Sequence, residues 1–144
     1  EAEGLTVTRM TVSGVSDISA TALALASVEG MDAIYVPTDN NLAANINAVK
    51  EACNSKNVLI VAGEENMLKA GGHVTLSVDY HELGVRTGKM AARIIKGEKK
   101  ASELPVTGMT KEECEYLWCS ANLADTNIVI PDAVKAKCRD VSEK

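Results

Sequence analysis

Three carboxylates of this chain, Asp39, Glu64 and Asp79, each come directly after a short apolar run. Ser13 follows a weaker run of the same kind. An ionised carboxylate forms strong charge-assisted hydrogen bonds with a cationic group. Carboxylates also bind Mg²⁺, which usually takes one or two of them together with water. If the three side chains lie together, they form a candidate binding site.

The order of elements predicts that they do lie together. The apolar runs are short and rich in β-branched residues, and each is followed by a helical stretch, which is typical of an α/β fold with a mostly parallel sheet. The carboxyl ends of parallel strands share one edge of the sheet, where open α/β folds bind ligands. We therefore expect Asp39, Glu64 and Asp79 to meet on one rim.

Helix capping is the alternative role for each of these side chains. Asp and Ser favour the residue before a helix because they accept hydrogen bonds from its unpaired amides. For a single residue, capping is the commoner role. Several carboxylates on one rim favour a binding site.

Composition limits the class of protein. The 144 residues suffice for one compact domain, and 46% of them are hydrophobic. The chain has no Phe, so its core must be aliphatic. The net charge is −5, and the single basic run, 96–100, is short and mixed. This pattern argues against a nucleic-acid partner.

The ends of the chain and its cysteines add little. No apolar stretch is long enough to cross a bilayer. The chain begins at Glu1 without Met, which suggests a fragment of a longer protein, so the missing leader does not indicate a compartment.

The four cysteines do not predict a zinc site, because no two of them form a C-x-x-C pair. They are Cys53, Cys114, Cys119 and Cys138. A disulfide from Cys114 or Cys119 to Cys138 is an open alternative that a core of this size does not need.

Hydrophobic spacing predicts the individual elements. We expect Ala33–Val36 to be buried on both faces, and Gly84 and Gly88 to let the longest helix pack closely against a neighbour. Asp17 is expected to cap the first helix. The predicted strands are Leu5–Val12, Ala33–Val36, Val58–Ala62, Val74–Val78 and Glu115–Cys119. The predicted helices are 17–28, 40–53, 65–70, 80–96 and a last one that begins at Pro131-Asp132.

Four segments carry a resemblance to a known family. They are Asp32-Ala33-Ile34-Tyr35-Val36-Pro37-Thr38-Asp39-Asn40, Val61-Ala62-Gly63-Glu64-Glu65, Val78-Asp79-Tyr80-His81-Glu82-Leu83-Gly84 and Ile130-Pro131-Asp132. With these segments the chain resembles the C-terminal part of ABC transporter substrate-binding proteins of the periplasmic-binding-protein-like type I class. Some members of that family take up tryptophan or other aromatic amino acids.

The resemblance implies two α/β lobes joined by a hinge, with the ligand in the cleft between them. Residues 1–104 would form a three-layer, Rossmann-like C-terminal lobe. Residues 105–144 would form a tail that crosses back toward the N-terminal lobe, which is absent from this chain.

The resemblance also implies site residues. Asp39 is expected to meet a ligand ammonium, with Glu64 or Glu65 as a second acceptor. Tyr80 is expected to pack on an apolar ligand side chain. Ser13 is the weakest candidate. The full set of expected ligand-binding residues is Thr38, Asp39, Asn40, Glu64, Glu65, Asp79, Tyr80 and Ser13.

The implied mechanism is binding without chemistry and without a cofactor. Closure about the hinge buries a small solute, an amino acid by the resemblance, and ABC permease subunits in the membrane then recognise the closed form. The protein would lie outside the cytoplasm, as a membrane-anchored lipoprotein or as a free periplasmic protein. An isolated lobe can also pair with a copy of itself, so a homodimer of the fragment stays open.

Two other functions fit the same architecture. Carboxylates on one rim could hold Mg²⁺ in a metal-dependent hydrolase, although the chain has no G-x-S-x-G elbow and no P-loop. His73 and His81 are poor general-base candidates, because one precedes a strand far from the rim and the other is in the first turn of a helix. A ligand-sensing domain of a regulator is the third interpretation. Turnover with a metal would favour the enzyme, and saturable binding without turnover would favour the receptor.

Overall fold

A five-stranded sheet organises the protein in the computed structural model, which describes residues 4–142. The strand order is β1-β2-β3-β4-β5. Strands β1 to β3 are parallel, β4 is antiparallel to β3, and β5 is parallel to β4. The predicted α/β fold with a mostly parallel sheet is confirmed. The strands are Ala33–Val36 (β1), Leu59–Ala62 (β2), Val74–Ser77 (β3), Glu115–Trp118 (β4) and Arg139–Asp140 (β5).

Seven helices connect and flank these strands in the described part of the chain. They are Ile18–Ala26 (α1), Asn40–Ala44 (α2), Ile46–Lys56 (α3), Glu65–Ala70 (α4), Tyr80–Ile95 (α5), Ser120–Leu123 (α6) and Asp132–Lys135 (α7). Three short 3₁₀ turns lie at Val15–Asp17, Ala101–Glu103 and Lys111–Glu113.

The core lies between one face of the sheet and helices α1, α3 and α4. It is aliphatic, as the absence of Phe requires, and includes a buried thiol at Cys53. Burial raises the pKa of that thiol to about 11, because the thiolate would lose its hydration. The largest buried apolar side chains are Ile46, Ile60, Met67, Leu68 and Leu117.

The other face of the sheet is only partly covered. Tyr35, Val61, Val74 and Trp118 are neighbours in register across four strands, so they share this face. Lys135 of α7 places its Nζ atom 5.4 Å from the centre of the Trp118 ring. Tyr35, at the other end of the row, is 65% exposed. The expectation that β1 is buried on both faces is therefore wrong, because its outward side chains, Ala33 and Tyr35, are exposed and only Ile34 and Val36 are buried.

The predicted first strand, Leu5–Val12, does not form. Its residues have no regular secondary structure and join no strand ladder in residues 4–142, and Leu5 and Val7 are 66% and 67% exposed. A cavity of about 640 Å³ lies between this segment and the edge strand β1. A strand is stable only with a partner that satisfies its backbone groups, and here the cavity lies between the segment and β1.

Two helix predictions need correction. The side chain of Asp17 makes no capping bond and instead accepts a hydrogen bond from Ser16 Oγ at 3.1 Å. The predicted helix 40–53 is two helices, α2 and α3, which meet at Asn45. Asn45 leaves the helical conformation, and its side-chain amide donates to the carbonyl of Asn41 at 2.8 Å, which competes with the helix ladder.

Asn122 of α6 joins the tail to the lobe. Its side chain donates to the carbonyls of Leu68 and Gly72 at 2.8 and 2.9 Å and accepts from Lys50 Nζ at 2.9 Å. Strand β4 pairs with β3, and β5 pairs with β4, so these two strands of the segment 105–144 extend the sheet of the lobe. The division of the chain at residue 104 stays a prediction.

Helix α5 differs from the other long helices because none of its residues is buried. A Cβ atom added at Gly84 or Gly88 would meet no atom within 4 Å. The expectation that these glycines let α5 pack closely on a neighbour is wrong for residues 4–142, since no element lies against that side of the helix.

Candidate ligand-binding site

Each of the three predicted carboxylates stands at the carboxyl end of a parallel strand and caps the helix that follows. Asp39 Oδ1 accepts from the amides of Asn41 and Leu42 at 2.8 and 3.0 Å. Asp79 Oδ1 accepts from the amide of Glu82 at 3.0 Å. The same side chains thus cap a helix and also lie on the rim of the sheet.

Glu64 differs from the other two because both of its carboxylate oxygens cap the helix that follows. Oε1 accepts from the amide of Met67 at 2.6 Å and Oε2 from the amide of Asn66 at 2.9 Å, and the residue is only 6% exposed. Asp39 and Asp79 use Oδ1 alone, and no hydrogen bond within residues 4–142 engages Oδ2 of either. Those two side chains are exposed and keep an acceptor for a ligand.

Gly63 holds two loops of the rim together. A Cβ atom at this position would lie 2.6 Å from the backbone nitrogen of Thr38 and 2.7 Å from its hydroxyl oxygen. Only glycine lets the loop after β2 approach the loop after β1 this closely. Thr38 is therefore fixed between the strand ends, while Asn40 begins α2 with an exposed side chain.

Two cavities open on this rim. The larger, about 640 Å³, is lined by Ser13 and Asp39 together with apolar side chains and Tyr35. The smaller, about 390 Å³, is lined by Glu65, Asp79 and Tyr80. The structure thus brings five of the eight predicted residues to a cavity, in two groups, whereas Thr38, Asn40 and Glu64 line neither of the two.

Glu65 lies in a network of charges in the smaller cavity. Its Oε1 is 2.7 Å from Lys69 Nζ and 3.8 Å from Arg139 Nη2. Arg139 in turn bonds Glu115 at 2.6 Å. Glu65 also donates its backbone N–H to Ser77 Oγ at 3.2 Å, which ties α4 to the end of β3.

Sequence reasoning missed Tyr35, Glu115 and Arg139. For Tyr35 a signal existed, because it alternates with the buried Ile34 and Val36 and must point to the opposite face. For Arg139 there was none: β5 has only two residues, and its position beside Glu115 depends on the pairing of β4 with β5.

The remaining chemistry-bearing groups are dispersed. The four cysteines are free thiols, and residues 4–142 hold no group of three acidic, cysteine or histidine side chains that could bind a metal ion. Across the same residues, no helix has the length and apolar character required to span a membrane.

The model of one protein family, "ABC transporter substrate binding protein", matches residues 1–142. The chain belongs to the ABC transporter substrate-binding protein family. This is a family of proteins that bind substrates for transport and not a family of enzymes. The resemblance found in the sequence is confirmed.

Individual substrate-binding proteins agree with this assignment. A tyrosine-binding protein of Clostridioides difficile (strain R20291) is 32% identical over 101 residues, which are 69% of this chain and 29% of that protein. The crystal structure of the ABC domain in complex with L-Trp from Streptococcus pneumonia is 29% identical with a TM-score of 0.80, over 94% of this chain and 44% of that one.

A third relative supports the fold alone. A conserved domain protein of Vibrio cholerae matches 96% of this chain and 45% of its own with a TM-score of 0.83, at 24% identity. The chain therefore spans less than half the length of each of these three relatives.

Proposed function

We propose that this chain is one lobe of the extracytoplasmic solute-binding component of an ABC importer, and that its solute is an amino acid with an aromatic side chain. Family membership supports the transport role. The amino-acid class is supported by two relatives, one named for binding tyrosine and one in complex with L-Trp.

The observation that carries the proposal is the free carboxylate oxygen of Asp39 on the larger cavity. The capping bonds fix the side chain through Oδ1. Oδ2 is therefore held in one position and can accept a hydrogen bond from a ligand ammonium group. Met10, Tyr35 and Leu42 line the same cavity and offer the apolar and aromatic surface that an aromatic side chain needs.

The smaller cavity supplies a second contact region on the same rim. Asp79 keeps its Oδ2, and Tyr80 is 51% exposed beside it. We propose that Thr38, Asn40, Glu65 and Ser13 contribute as neighbours of these two regions, whereas Glu64 shapes the rim through α4 and has no oxygen to spare.

In this proposal the second half of the site comes from the part of the family protein that lies outside these 144 residues. The solute enters the open cleft and closure buries it, because the closed form has contacts with the solute that the open form lacks. ABC permease subunits are the proposed membrane partner. The two forms proposed for the protein are a lipoprotein anchored to the membrane and a free periplasmic protein.

Isothermal titration of the complete gene product against the twenty amino acids, with tryptophan and tyrosine first, tests this function. We expect tight, saturable binding of an aromatic amino acid by the complete protein and weak binding by the 144-residue chain. Absence of binding heat from every amino acid would remove the amino-acid proposal, and turnover of a solute would remove the receptor.

A further inference from the structure

A stripe of basic side chains runs along helix α5 and continues past its end. We propose that this basic stripe binds the phosphate groups of an anionic lipid membrane surface. The contact goes beyond the transport role proposed above, and it does not depend on the identity of the solute. The basic stripe consists of Lys89, Arg93, Lys96, Lys99 and Lys100.

Helical periodicity places the first three of these residues on one face. Lys89, Arg93 and Lys96 follow one another at spacings of four and three, so they are neighbours along the surface of α5 and its C-cap. At the rise of an α-helix, they span about 10 Å. This is close to one Debye length at roughly 0.1 M salt, so the three charges act together on a nearby surface.

The end of α5 keeps the next two cations beside the others. The chain turns at Gly97, which has a φ of 72°, the left-handed conformation typical of a helix end. The backbone N–H of Glu98 donates to the carbonyl of Arg93 at 3.0 Å and so holds the turn against the last turn of the helix. Lys99 and Lys100 therefore extend the basic stripe directly from the end of α5.

The charges of the basic stripe are not neutralised within the described part of the chain. All five side chains are exposed, and none of them forms an ion pair within residues 4–142. Arg86, three residues before Lys89, differs in this respect, because Glu82 and Glu113 bind it at 3.0 and 2.6 Å. The five cations therefore remain available to an external anion.

The basic stripe is opposite in charge to the rest of the protein. Residues 89–100 contain five basic residues and one acid, Glu98, and thus carry +4. Because the net charge of the chain is −5, the remaining residues together carry −9. The helix dipole favours cations only near the helix end and does not account for Lys89. Such an asymmetry orients the molecule on a negative surface with the basic stripe toward it.

The form of the basic stripe favours a membrane over an acidic protein. A specific acidic partner is bound by cations in fixed positions, often through bidentate arginine pairs. Here four of the five cations are lysines, all are exposed, and none lines either of the two cavities on the rim. Anionic lipid headgroups attract clusters of Lys and Arg without any pocket, and the proposed transport role places the protein beside a membrane.

The basic stripe lies away from the proposed solute site. Asp79 caps α5 on the rim, and Lys96 follows the last residue of the helix about 25 Å farther along its axis. A membrane bound at the basic stripe therefore leaves the rim open to solute.

Sedimentation of the 144-residue protein with lipid vesicles, in the absence of solute, tests the proposal. Vesicles of equal parts phosphatidylglycerol and phosphatidylcholine supply the anionic surface, and vesicles of phosphatidylcholine alone are the neutral control. We expect binding to the anionic vesicles only. This binding should be lost in roughly 0.5 M salt, because screening then acts over a few ångströms.

Two matched variants show whether the basic stripe is responsible. Arg93→Gln/Lys96→Gln removes two of its charges, and Lys56→Gln/Lys137→Gln removes two exposed charges elsewhere. Since each basic residue near an anionic surface contributes about fivefold in binding, we expect the first variant to bind roughly 25-fold more weakly. The second should bind close to the parent, and circular dichroism verifies that both are folded.

Three results would overturn the proposal. Equal weakening by both variants would mean that net charge, and not the basic stripe, governs binding. Equal binding to neutral and anionic vesicles would assign the contact to apolar surface. Absence of binding to either vesicle would exclude the membrane, and retention on polyglutamate that depends on the basic stripe would then indicate an acidic protein partner. None of these results would affect the transport role, which solute titration tests separately.

Discussion

Nδ1 of His73 accepts a hydrogen bond from the backbone N–H of Ile60 at 3.0 Å, inside the core. The second ring nitrogen, Nε2, lies 3.1 Å from Asn54 Oδ1. With Nε2 carrying the hydrogen, one neutral imidazole connects β2, α3 and the start of β3. Protonation of Nδ1 would remove the acceptor that Ile60 needs.

This arrangement predicts a loss of stability in mild acid. Burial, and secondarily the charge of Lys50, lower the pKa of His73 from 6.5 to about 4. Between pH 6.5 and 4 the unfolded chain binds a proton at this histidine and the folded chain does not. The free energy of unfolding is therefore highest above pH 6.5 and falls as the pH drops toward 4. The shift corresponds to a loss on the order of 3 kcal/mol.

Urea unfolding at a series of pH values measures this slope. His73→Gln should flatten the pH dependence between 6.5 and 4, whereas His81→Gln, at an exposed position, should leave it as in the parent. A His73→Gln variant with the parent's slope would show that other groups cause it.

Gly63→Ala should destabilise the protein by roughly 1–3 kcal/mol, the usual cost of overpacking. The new methyl group would lie 2.6 Å from the nitrogen of Thr38, and backbone there cannot move aside as a flexible side chain could. Gly14→Ala is the matched control, since the nearest atom to its methyl group is 4.0 Å away. The free energy of unfolding of the two variants should differ clearly, and equal values would disprove the close approach of the loops.

Glu64→Ala should cost about 1–2 kcal/mol, as expected for the loss of a helix cap, because the amides of Asn66 and Met67 both lose their acceptor. Asp79→Ala removes one exposed capping bond and should cost less, about 0.5–1 kcal/mol. Thermal unfolding of both variants checks the order. If Asp79→Ala proved the more damaging, the burial of Glu64 would not govern the strength of these caps.

Asp39→Asn should weaken binding of the amino acid to the complete gene product by about 10–100-fold, the loss expected for one charge-assisted hydrogen bond. Asparagine retains an oxygen that can cap α2, so folding should change little. Titration calorimetry measures the affinity, and Asp17→Asn, which alters an exposed acid outside the site, is the control. Unchanged affinity in Asp39→Asn would exclude this side chain from the site.

The sequence was sufficient wherever a local pattern determines structure. Strand β1 and helix α4 have the predicted bounds, and the caps at Asp39 and Asp79 follow from residue type and position before a helix. The convergence of these side chains on one edge followed from the parallel order of strands. Each of these features depends on a few consecutive residues and a general rule of α/β folds.

Features that depend on long-range pairing were not predictable. The segment 5–12 has the composition of a strand, but it lies across a cavity from β1 and finds no ladder. Arg139 reaches the rim only because β5 pairs with β4. In β1 the alternation of side chains between the two faces followed from the sequence. Whether Tyr35 is buried or exposed depended on what covers the outer face of the sheet.

Trp118 is the one tryptophan of the chain, and it lies on the partly covered face of the sheet under the ammonium group of Lys135. Its emission is therefore an intrinsic spectroscopic probe of whether α7 remains on the sheet. A red shift while the circular dichroism of the helices persists would mean that the tail detaches before the lobe unfolds. Added tryptophan would emit in the same range as Trp118. Fluorescence titrations of this chain are therefore cleaner with tyrosine as the ligand and with excitation at the red edge of the absorption band, where Trp118 absorbs and tyrosine does not.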